Sequence, residues 1–308
     1  TPEARLTGNE TKLQAVIDNS GEYNTAEQLD NLLNSDRRFN YYLYENEIDH
    51  YEQDHNQIHL NHAFNNNLNL AVSGHYTHGE GYYEQYRTND NLNDYKLDNI
   101  IVGNDTITQT DLIRRRWLNN DFYGFTYAFN YNKDNLLMTL GGGYNTYKGK
   151  HFGEIIWSKF ASTSTIRDRY YEGSSTKNDF NVFFKTNYQL SSKVNIFGDL
   201  QMRTISYDTE GTDNDLSNYQ VEEKYTFFNP KFGLTYILNT NFQLYGSFAV
   251  AHREPVRTDF IDANVGDIPS PEQLQNFEFG FKGNLDNIHV ESNLYLMDYT
   301  NQLILTVP

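Results

Sequence analysis

Apolar and polar side chains alternate with a period of two residues over long stretches of this chain. Near its end, Ile288, Val290 and Leu294 share one face, while His289 and Glu291 share the other. Successive side chains of a β-strand point to opposite faces, whereas a helix would spread these residues around its circumference. The alternation therefore predicts long β-strands, each with one apolar and one polar face.

Ten stretches of the sequence carry this alternation. We predict strands at residues 57–64, 68–78, 121–131, 135–147, 177–190, 193–207, 224–238, 241–252, 274–283 and 287–301. Most of them exceed the roughly five to six residues of an average strand in a soluble domain. The chain has 25 Tyr and 20 Phe, and these residue types favour extended backbone.

The connections between these strands alternate in length. Short turns fall at residues 65–67, 132–134, 191–192, 239–240 and 284–286. Long polar segments fall at 79–120, 148–176, 208–223 and 253–273, and residues 1–56 precede the first strand. Outer-membrane barrels sort their connections in this way, with short periplasmic turns and long extracellular loops. A soluble β-sandwich with one wet face per sheet is the alternative, and the sorted loops argue against it.

The predicted fold is all-β: an antiparallel transmembrane β-barrel portion of about ten strands, in contact with outer-membrane lipid. If the short turns are periplasmic, both ends of the sequence lie on the extracellular side. Single-chain bacterial barrels normally have an even strand count and periplasmic termini. We therefore expect residues 1–308 to form one partial barrel domain, with further strands on both sides and no plug domain.

Composition excludes several other classes of protein. The formal net charge of −17 argues against a nucleic-acid partner. The absence of cysteine removes disulfides, thiolate metal sites and cysteine nucleophiles. No run approaches the ~18 apolar residues of a transmembrane helix.

Several motifs resemble the C-terminal half of TonB-dependent outer-membrane receptors. They are Asp111–Leu118 with Asn120–Gly124, Tyr245–Pro255, Pro271-Glu272 with Asn276–Lys282, and Leu294–Leu303. In this order and on period-two strands, they cover roughly residues 36–303. The resemblance implies a barrel of about 22 strands with an N-terminal plug. It also implies active uptake powered by TonB, most often of a ferric chelate and otherwise of cobalamin, haem or a glycan.

Aromatic and cationic residues in the long segments are candidates for ligand binding. Five arginines lie in or beside these segments: Arg114, Arg115, Arg116, Arg253 and Arg257. The predicted ligand-binding residues are Tyr82, Tyr83, Tyr86, Arg114, Tyr170, Tyr171 and Arg253. Tyrosine offers a rigid contact surface with a hydroxyl, and arginine grips carboxylates. The alternatives are tyrosines that pack the loops together or form the interfacial girdle, and arginines that serve structure.

No catalytic residue, resident metal or cofactor is predicted. His75 and His78 are an odd number of residues apart on one strand and so face opposite sides, as do His59 and His62. The acidic run 208–215 departs from the spacing of an EF-hand loop. The sequence has no nucleophile elbow or phosphate-binding glycine loop, and Gly141–Gly143 lies inside a strand. An outer-membrane adhesin without transport remains an alternative to a receptor.

Overall fold

A computed structural model describes residues 44–261, 263, 268–285 and 287–302. The strands are β1 (Asp49–Ala63), β2 (Leu68–Asn91), β3 (Ile100–Val102), β4 (Asp105–Ile107), β5 (Gln109–Lys133), β6 (Leu136–Ser158), β7 (Arg169–Gln189), β8 (Val194–Thr212), β9 (Asn218–Ile237), β10 (Phe242–Arg253), β11 (Glu272–Leu285) and β12 (Ile288–Thr300). A 3₁₀ turn spans Leu92–Tyr95, and a short helix α1 spans Arg257–Ile261.

Ten of the strands form one antiparallel sheet. Its order is β1-β2-β5-β6-β7-β8-β9-β10-β11-β12, so sequential long strands are neighbours throughout. All ten predicted strands are confirmed. The separate hairpin of β3 and β4 was not predicted, because three-residue strands are too short to show alternation. Within the described residues the sheet is open, with β1 and β12 at its edges.

The strands extend much further on the side of the long connections than the sequence predicts. Strand β2 continues to Asn91, β5 begins at Gln109, and β6 continues to Ser158. The predicted long polar segments at 79–120, 148–176 and 208–223 are therefore too wide, since most of their residues belong to strands. Beyond the apolar band, apolar and polar residues occur on both faces of a strand, so the signal of alternation ends although the hydrogen-bonded ladder continues.

The register separates an apolar face from a polar face. Phe129, Leu140, Phe184 and Leu200 are cross-strand neighbours on four strands, and each side chain is 37–46% exposed. One residue further along each strand, the opposite face carries the row Asn130, Thr139, Lys185, Asp199 and Lys231. The exposed apolar face is the lipid-facing surface of a barrel, and the polar face lines the lumen. No helix among the described residues is long and apolar enough to cross a membrane.

Tyrosines mark the extracellular limit of the apolar face. Tyr76 donates a hydrogen bond to Asp121 (2.7 Å), and Tyr144 donates one to Asn178 (3.0 Å). Each ring extends the apolar surface while its hydroxyl meets polar residues of the next level. This arrangement is typical of the aromatic girdle of outer-membrane barrels.

The glycine run in β6 permits close packing, as predicted from its position inside a strand. A Cβ atom on Gly142 would lie 2.4 Å from the carbonyl oxygen of Asn181, and one on Gly143 would lie 2.8 Å from that of Phe125. Neither side can give way, because both contacts are with backbone of neighbouring strands.

A cluster of buried apolar residues lies above the membrane, where the 3₁₀ turn packs against β5, β6 and β7. It consists of Leu92, Tyr95, Leu97, Leu112, Ile155, Tyr170 and Tyr171. This cluster fixes the connection between β2 and β5 onto the strand extensions, so the extracellular end of the sheet has a packed core of its own.

Candidate ligand-binding site

A cavity of about 550 Å³ lies at the extracellular end of the sheet. Strands β1, β2, β5, β6 and β7, the β8–β9 connection and helix α1 contribute to its walls. The lining residues are Asp49, Tyr51, Gly81, Tyr82, Tyr83, Arg116, Trp117, Leu118, His151, Tyr171, Asp213, Asn214 and Arg257. This volume lies in the range of small-molecule sites, about 300–1,000 Å³.

The register brings the central side chains of the cavity together. Tyr83, Arg116, Gly153 and Tyr171 are paired in one row across four strands. They have the parity of the polar face, so Tyr83, Arg116 and Tyr171 point into the lumen. At Gly153 a Cβ atom would lie 2.4 Å from the rings of Tyr170 and Tyr171, so the missing side chain makes room for these rings.

Two tyrosines hold the guanidinium group of Arg116. Its Nη1 donates a hydrogen bond of 2.9 Å to the hydroxyl of Tyr83. Its Cζ lies 6.0 Å from the ring centroid of Tyr83 and 5.9 Å from that of Tyr171. A cation held in this way loses little conformational entropy when it binds an anion, because its orientation is already set.

A second arginine enters the cavity from helix α1. Arg257 Cζ lies 5.6 Å from the ring centroid of Tyr219 on β9. The carboxylates of Asp49 and Asp213 also border the cavity. The site therefore combines two arginines and two carboxylates with tyrosine rings and hydroxyls. Such a mixture suits a ligand that carries anionic groups together with aromatic or polar surface.

A larger concavity, of about 900 Å³, lies at the periplasmic end of the lumenal face. It includes Tyr245 and Glu278 and an ion pair in which Lys282 Nζ lies 2.7 Å from Glu291 Oε1. A ligand arriving from outside the cell meets the extracellular cavity first, so that cavity is the candidate for capture.

Three of the seven residues predicted to bind ligand line this cavity: Tyr82, Tyr83 and Tyr171. All seven lie on strands of the sheet, so their predicted location in loops is wrong. The turn residue Asp286 and the motif residue Leu303 lie outside the described residues. Ligand binding by the seven residues stays a prediction.

The other four residues have different surroundings. Tyr170 is 1% exposed, and its ring centroid lies 4.8 Å from that of Tyr95. Arg114 donates hydrogen bonds to the Tyr95 hydroxyl (3.0 Å) and to Gln85. The ring of Tyr86 lies 5.8 Å from that of Tyr44 and 6.4 Å from that of Trp157. Arg253 is exposed at the end of β10. Tyr170, Arg114 and Tyr86 therefore have the packing and structural roles named above as alternatives.

The structure places Arg116 and Arg257, rather than Arg114 and Arg253, at the cavity. Parity could not choose between Arg114 and Arg116, which are two residues apart. The choice depends on the neighbours of each side chain: Gln85 and Tyr95 accept hydrogen bonds from Arg114, whereas Tyr83 and Tyr171 flank Arg116 at the cavity. For Arg257, no local signal in the sequence shows that the chain turns into the lumen after β10.

The hydroxyl of Tyr95 illustrates the electrostatics around the cluster above the membrane. Burial raises the pKa of Tyr95 above its ordinary value, the charge of Arg114 opposes this shift, and the hydrogen bond to Asp90 adds to it. The hydroxyl is therefore neutral near pH 7 and donates to Asp90 while it accepts from Arg114. Arg114 thus acts in holding the 3₁₀ turn onto β5.

The family model described as TonB dependent receptor-like, β-barrel, matches residues 4–308. The chain belongs to the TonB-dependent receptor β-barrel family. The prediction made from the motifs is confirmed, as is the predicted outer-membrane location of this receptor barrel. Proteins of this family are transport receptors rather than enzymes.

Solved structures with the same fold include three such receptors or transporters. One is the ferric-catecholate import receptor Fiu of E. coli K12 in its open form, with 12% identity and a TM-score of 0.55 over 92% of this chain and 46% of that chain. The copper transporter OprC has 11% identity and a TM-score of 0.63 over 80% and 38%. The siderophore receptor PiuA from Acinetobacter baumannii has 14% identity and a TM-score of 0.53 over 81% and 40%.

The chain spans less than half the length of each of these three proteins. At such identities the likeness shows the fold. A search of curated proteins finds no match to the sequence.

Proposed function

We propose that this barrel region belongs to an outer-membrane receptor that binds and imports a scarce nutrient, and that the nutrient is a ferric chelate of the siderophore type. The observation that carries the proposal is the lumenal cavity, where Arg116 and Arg257 accompany tyrosine rings at the extracellular end. TonB would supply the energy by acting through a plug domain rather than through the barrel wall.

The chemistry of the cavity fits a ferric chelate better than a neutral ligand. Ferric chelates of this type present negatively charged oxygens and flat ligand arms around the metal. Arginine binds such oxygens with charge-assisted hydrogen bonds, and tyrosine rings contact the flat arms. Fiu and PiuA are named as receptors for ferric catecholate and siderophore, so the proposed class agrees with two relatives in fold.

In the proposed mechanism the barrel captures the ligand and keeps it in a defined orientation. Arg116, already held between Tyr83 and Tyr171, would bind one anionic group, and Arg257 would bind another. Asp49 and Asp213 would disfavour small anions that carry charge alone, because these carboxylates repel them. The plug would form the floor below the ligand, and its displacement by TonB would open the path inward. We expect no catalytic activity.

Two alternative functions are compatible with the same cavity. The receptor would import a glycan, haem or cobalamin if tyrosine contacts rather than the arginines dominate binding. An adhesin or binding barrel of another class would capture ligand without transporting it. The dependence of binding on the two arginines and the dependence of uptake on TonB separate these possibilities.

The test is uptake of ⁵⁵Fe-labelled chelates by cells that carry the full-length receptor as their only uptake route. We expect saturable uptake that requires TonB and is competed by unlabelled ferric chelate. The double variant R116A/R257A should bind about 100-fold more weakly, since two charge-assisted contacts are lost. A matched control is K185A, which removes an exposed lumenal cation outside the cavity.

Competition by glycan, haem or cobalamin but not by ferric chelates would overturn the choice of cargo. Ligand binding that persists without any TonB-dependent uptake would overturn transport and favour the adhesin.

A further inference from the structure

The segment that follows β10 turns into the lumen. Arg253 and Val256 are exposed, whereas Glu254 and Pro255 between them are buried, and Glu254 is only 8% exposed. Three residues after Glu254, helix α1 begins with Arg257, which borders the ligand cavity. A buried carboxylate on a connecting segment needs partners, because burying an unpaired charge is strongly unfavourable.

Glu254 has its partners on strands two and three positions away in the sheet. Lys177 Nζ of β7 donates to its Oε1 at 2.6 Å, and Arg203 Nη1 of β8 donates to its Oε2 at 3.1 Å. Arg203 also forms a bidentate pair with Asp179 at 2.5–3.2 Å. Two cations and two anions therefore form one lumenal cluster, which ties the segment after β10 to β7 and β8.

The cluster keeps Glu254 ionised. Burial alone would raise the pKa of Glu254, but the hydrogen bond from Lys177 and the nearby charges of Lys177 and Arg203 lower it below its ordinary value. The ion pairs therefore persist at neutral pH and weaken only in acid, when the carboxylate is protonated.

We infer that Glu254 is a positioning residue: it anchors residues 254–261, which follow β10, inside the lumen and thereby places Arg257 at the ligand cavity. The role of Arg257 toward a ligand rests on the proposed function, whereas the anchoring by Glu254 does not. Arg253 in this stretch was predicted from the sequence to bind ligand. The structure instead assigns a positioning role to its neighbour Glu254.

The short distance along the chain allows a fixed Glu254 to restrict the position of Arg257. Three residues of extended chain span at most ~10 Å, so a fixed Glu254 confines the Cα atom of Arg257 to a small region. Val256 N donates to Asp259 Oδ2 at 2.7 Å, and Asp259 N donates to the Val256 carbonyl at 3.0 Å. These bonds make the start of α1 a compact unit that follows the anchor.

Tryptic cleavage of the full-length receptor in intact cells tests the anchor without a ligand. In an R253Q background, Arg257 is the remaining tryptic site between residues 253 and 281. We expect E254Q to raise the rate of cleavage after Arg257 about tenfold or more, because the segment leaves the lumen more often. K177Q should raise it in the same direction. K185Q, which changes a lysine on the same strand and face outside the cluster, should leave it unchanged.

A heat-modifiable band on unheated gels shows that each variant is still a folded barrel. Unchanged cleavage in a folded E254Q barrel would overturn the anchoring role, and so would an equal increase in K185Q.

Binding of ferric chelates to the purified receptor tests the step from anchor to ligand. If Glu254 acts through Arg257, E254Q weakens binding in the R257-containing receptor but adds less than about twofold to the loss caused by R257A. Independent, multiplicative losses would overturn the positioning role. Failure of the unmodified receptor to bind any ferric chelate would reject the proposed cargo, while the cleavage rates would still decide whether Glu254 anchors the segment.

Discussion

At the residue scale, two arginines of one strand show that the neighbours of a side chain determine its role. Arg114 and Arg116 share a face of β5 by parity, yet Arg114 holds the 3₁₀ turn through Tyr95, whereas Arg116 lies between Tyr83 and Tyr171 at the cavity. Their chemistry is the same, but only Arg116 is placed to meet a ligand.

We therefore predict different effects of the two alanine substitutions. R116A should weaken binding of an anionic chelate about 10- to 100-fold, the range expected for a lost charge-assisted hydrogen bond. R114A should change affinity by less than about twofold and instead speed hydrogen exchange in residues 92–97. Calorimetry and hydrogen exchange on the purified receptor measure the two effects. A larger loss of affinity in R114A than in R116A would contradict the assignment.

Glu47 provides a pH-dependent prediction at the same scale. Burial raises the pKa of Glu47 to about 7, although the charge of Arg87 opposes the shift. The folded pKa exceeds the unfolded value of about 4.3, so the contribution of this group to stability is full below about pH 4 and is lost as pH rises through about 7.

Local protection near Glu47 should therefore fall as the pH rises from about 4 to about 7. The probe is the amide of Glu84, which donates to the carbonyl of Ile48 at 2.9 Å. E47Q should remove most of this pH dependence, since its side chain cannot ionise. Equal pH dependence in the variant and the parent receptor, after correction for intrinsic exchange, would refute the assignment.

At the element scale, the hydrogen-bonded ladders extend further along the strands than the alternation of apolar and polar residues does. The turn-side ends of the strands match the predicted ends closely, because an apolar face begins within a residue or two of each turn. The far ends were missed by up to thirteen residues on β2, whose predicted end was 78 and whose observed end is Asn91. Above the membrane no apolar face is required, so the sequence loses the signal while the backbone pairing continues.

Two glycines of the lipid-facing rows allow a prediction of how a substitution in β6 changes the stability of the barrel. G142A should destabilise the barrel by about 1–3 kcal/mol, because the new Cβ would lie 2.4 Å from the backbone oxygen of Asn181. The matched control is G246A on β10, where the nearest atoms to a Cβ are 3.8 and 3.9 Å away. It should change stability by less than about 0.5 kcal/mol. Urea unfolding in detergent micelles compares the two, and equal destabilisation would contradict the packing role of Gly142.

At the scale of the whole molecule, the two faces of the sheet meet different solvents. Leu200 lies on the lipid-facing row, and Gln201 lies next to it on the lumenal face. L200R should destabilise the receptor in lipid vesicles by about 2–4 kcal/mol, the cost of a cation near the bilayer midplane. Q201R should cost less than about 1 kcal/mol, because the lumen is polar. A reversed order of the two variants would show that the faces have been assigned the wrong way round.

The two edge strands of the sheet also bear on the architecture of the whole molecule. Within the described residues, β1 and β12 each have a neighbour on one side only. Unpaired backbone groups cost several kcal/mol each in hydrocarbon, so a barrel must close its sheet. We propose that further strands pair with both edges, in line with the partial barrel domain expected from residues 1–308.

Sequence alone was enough for the ten long strands, their order as neighbours, the lipid-facing and lumenal faces, and the family. The strands, their order and their faces follow from period-two polarity and short turns, which act between residues close in the chain, whereas the family follows from the resemblance of the motifs. Tertiary structure alone decided that Arg116 and Arg257 reach one cavity and that Glu254 is buried among Lys177 and Arg203. These contacts depend on the packing of side chains from distant strands and on the path of a connection across several strands, and neither leaves a periodic trace in the sequence.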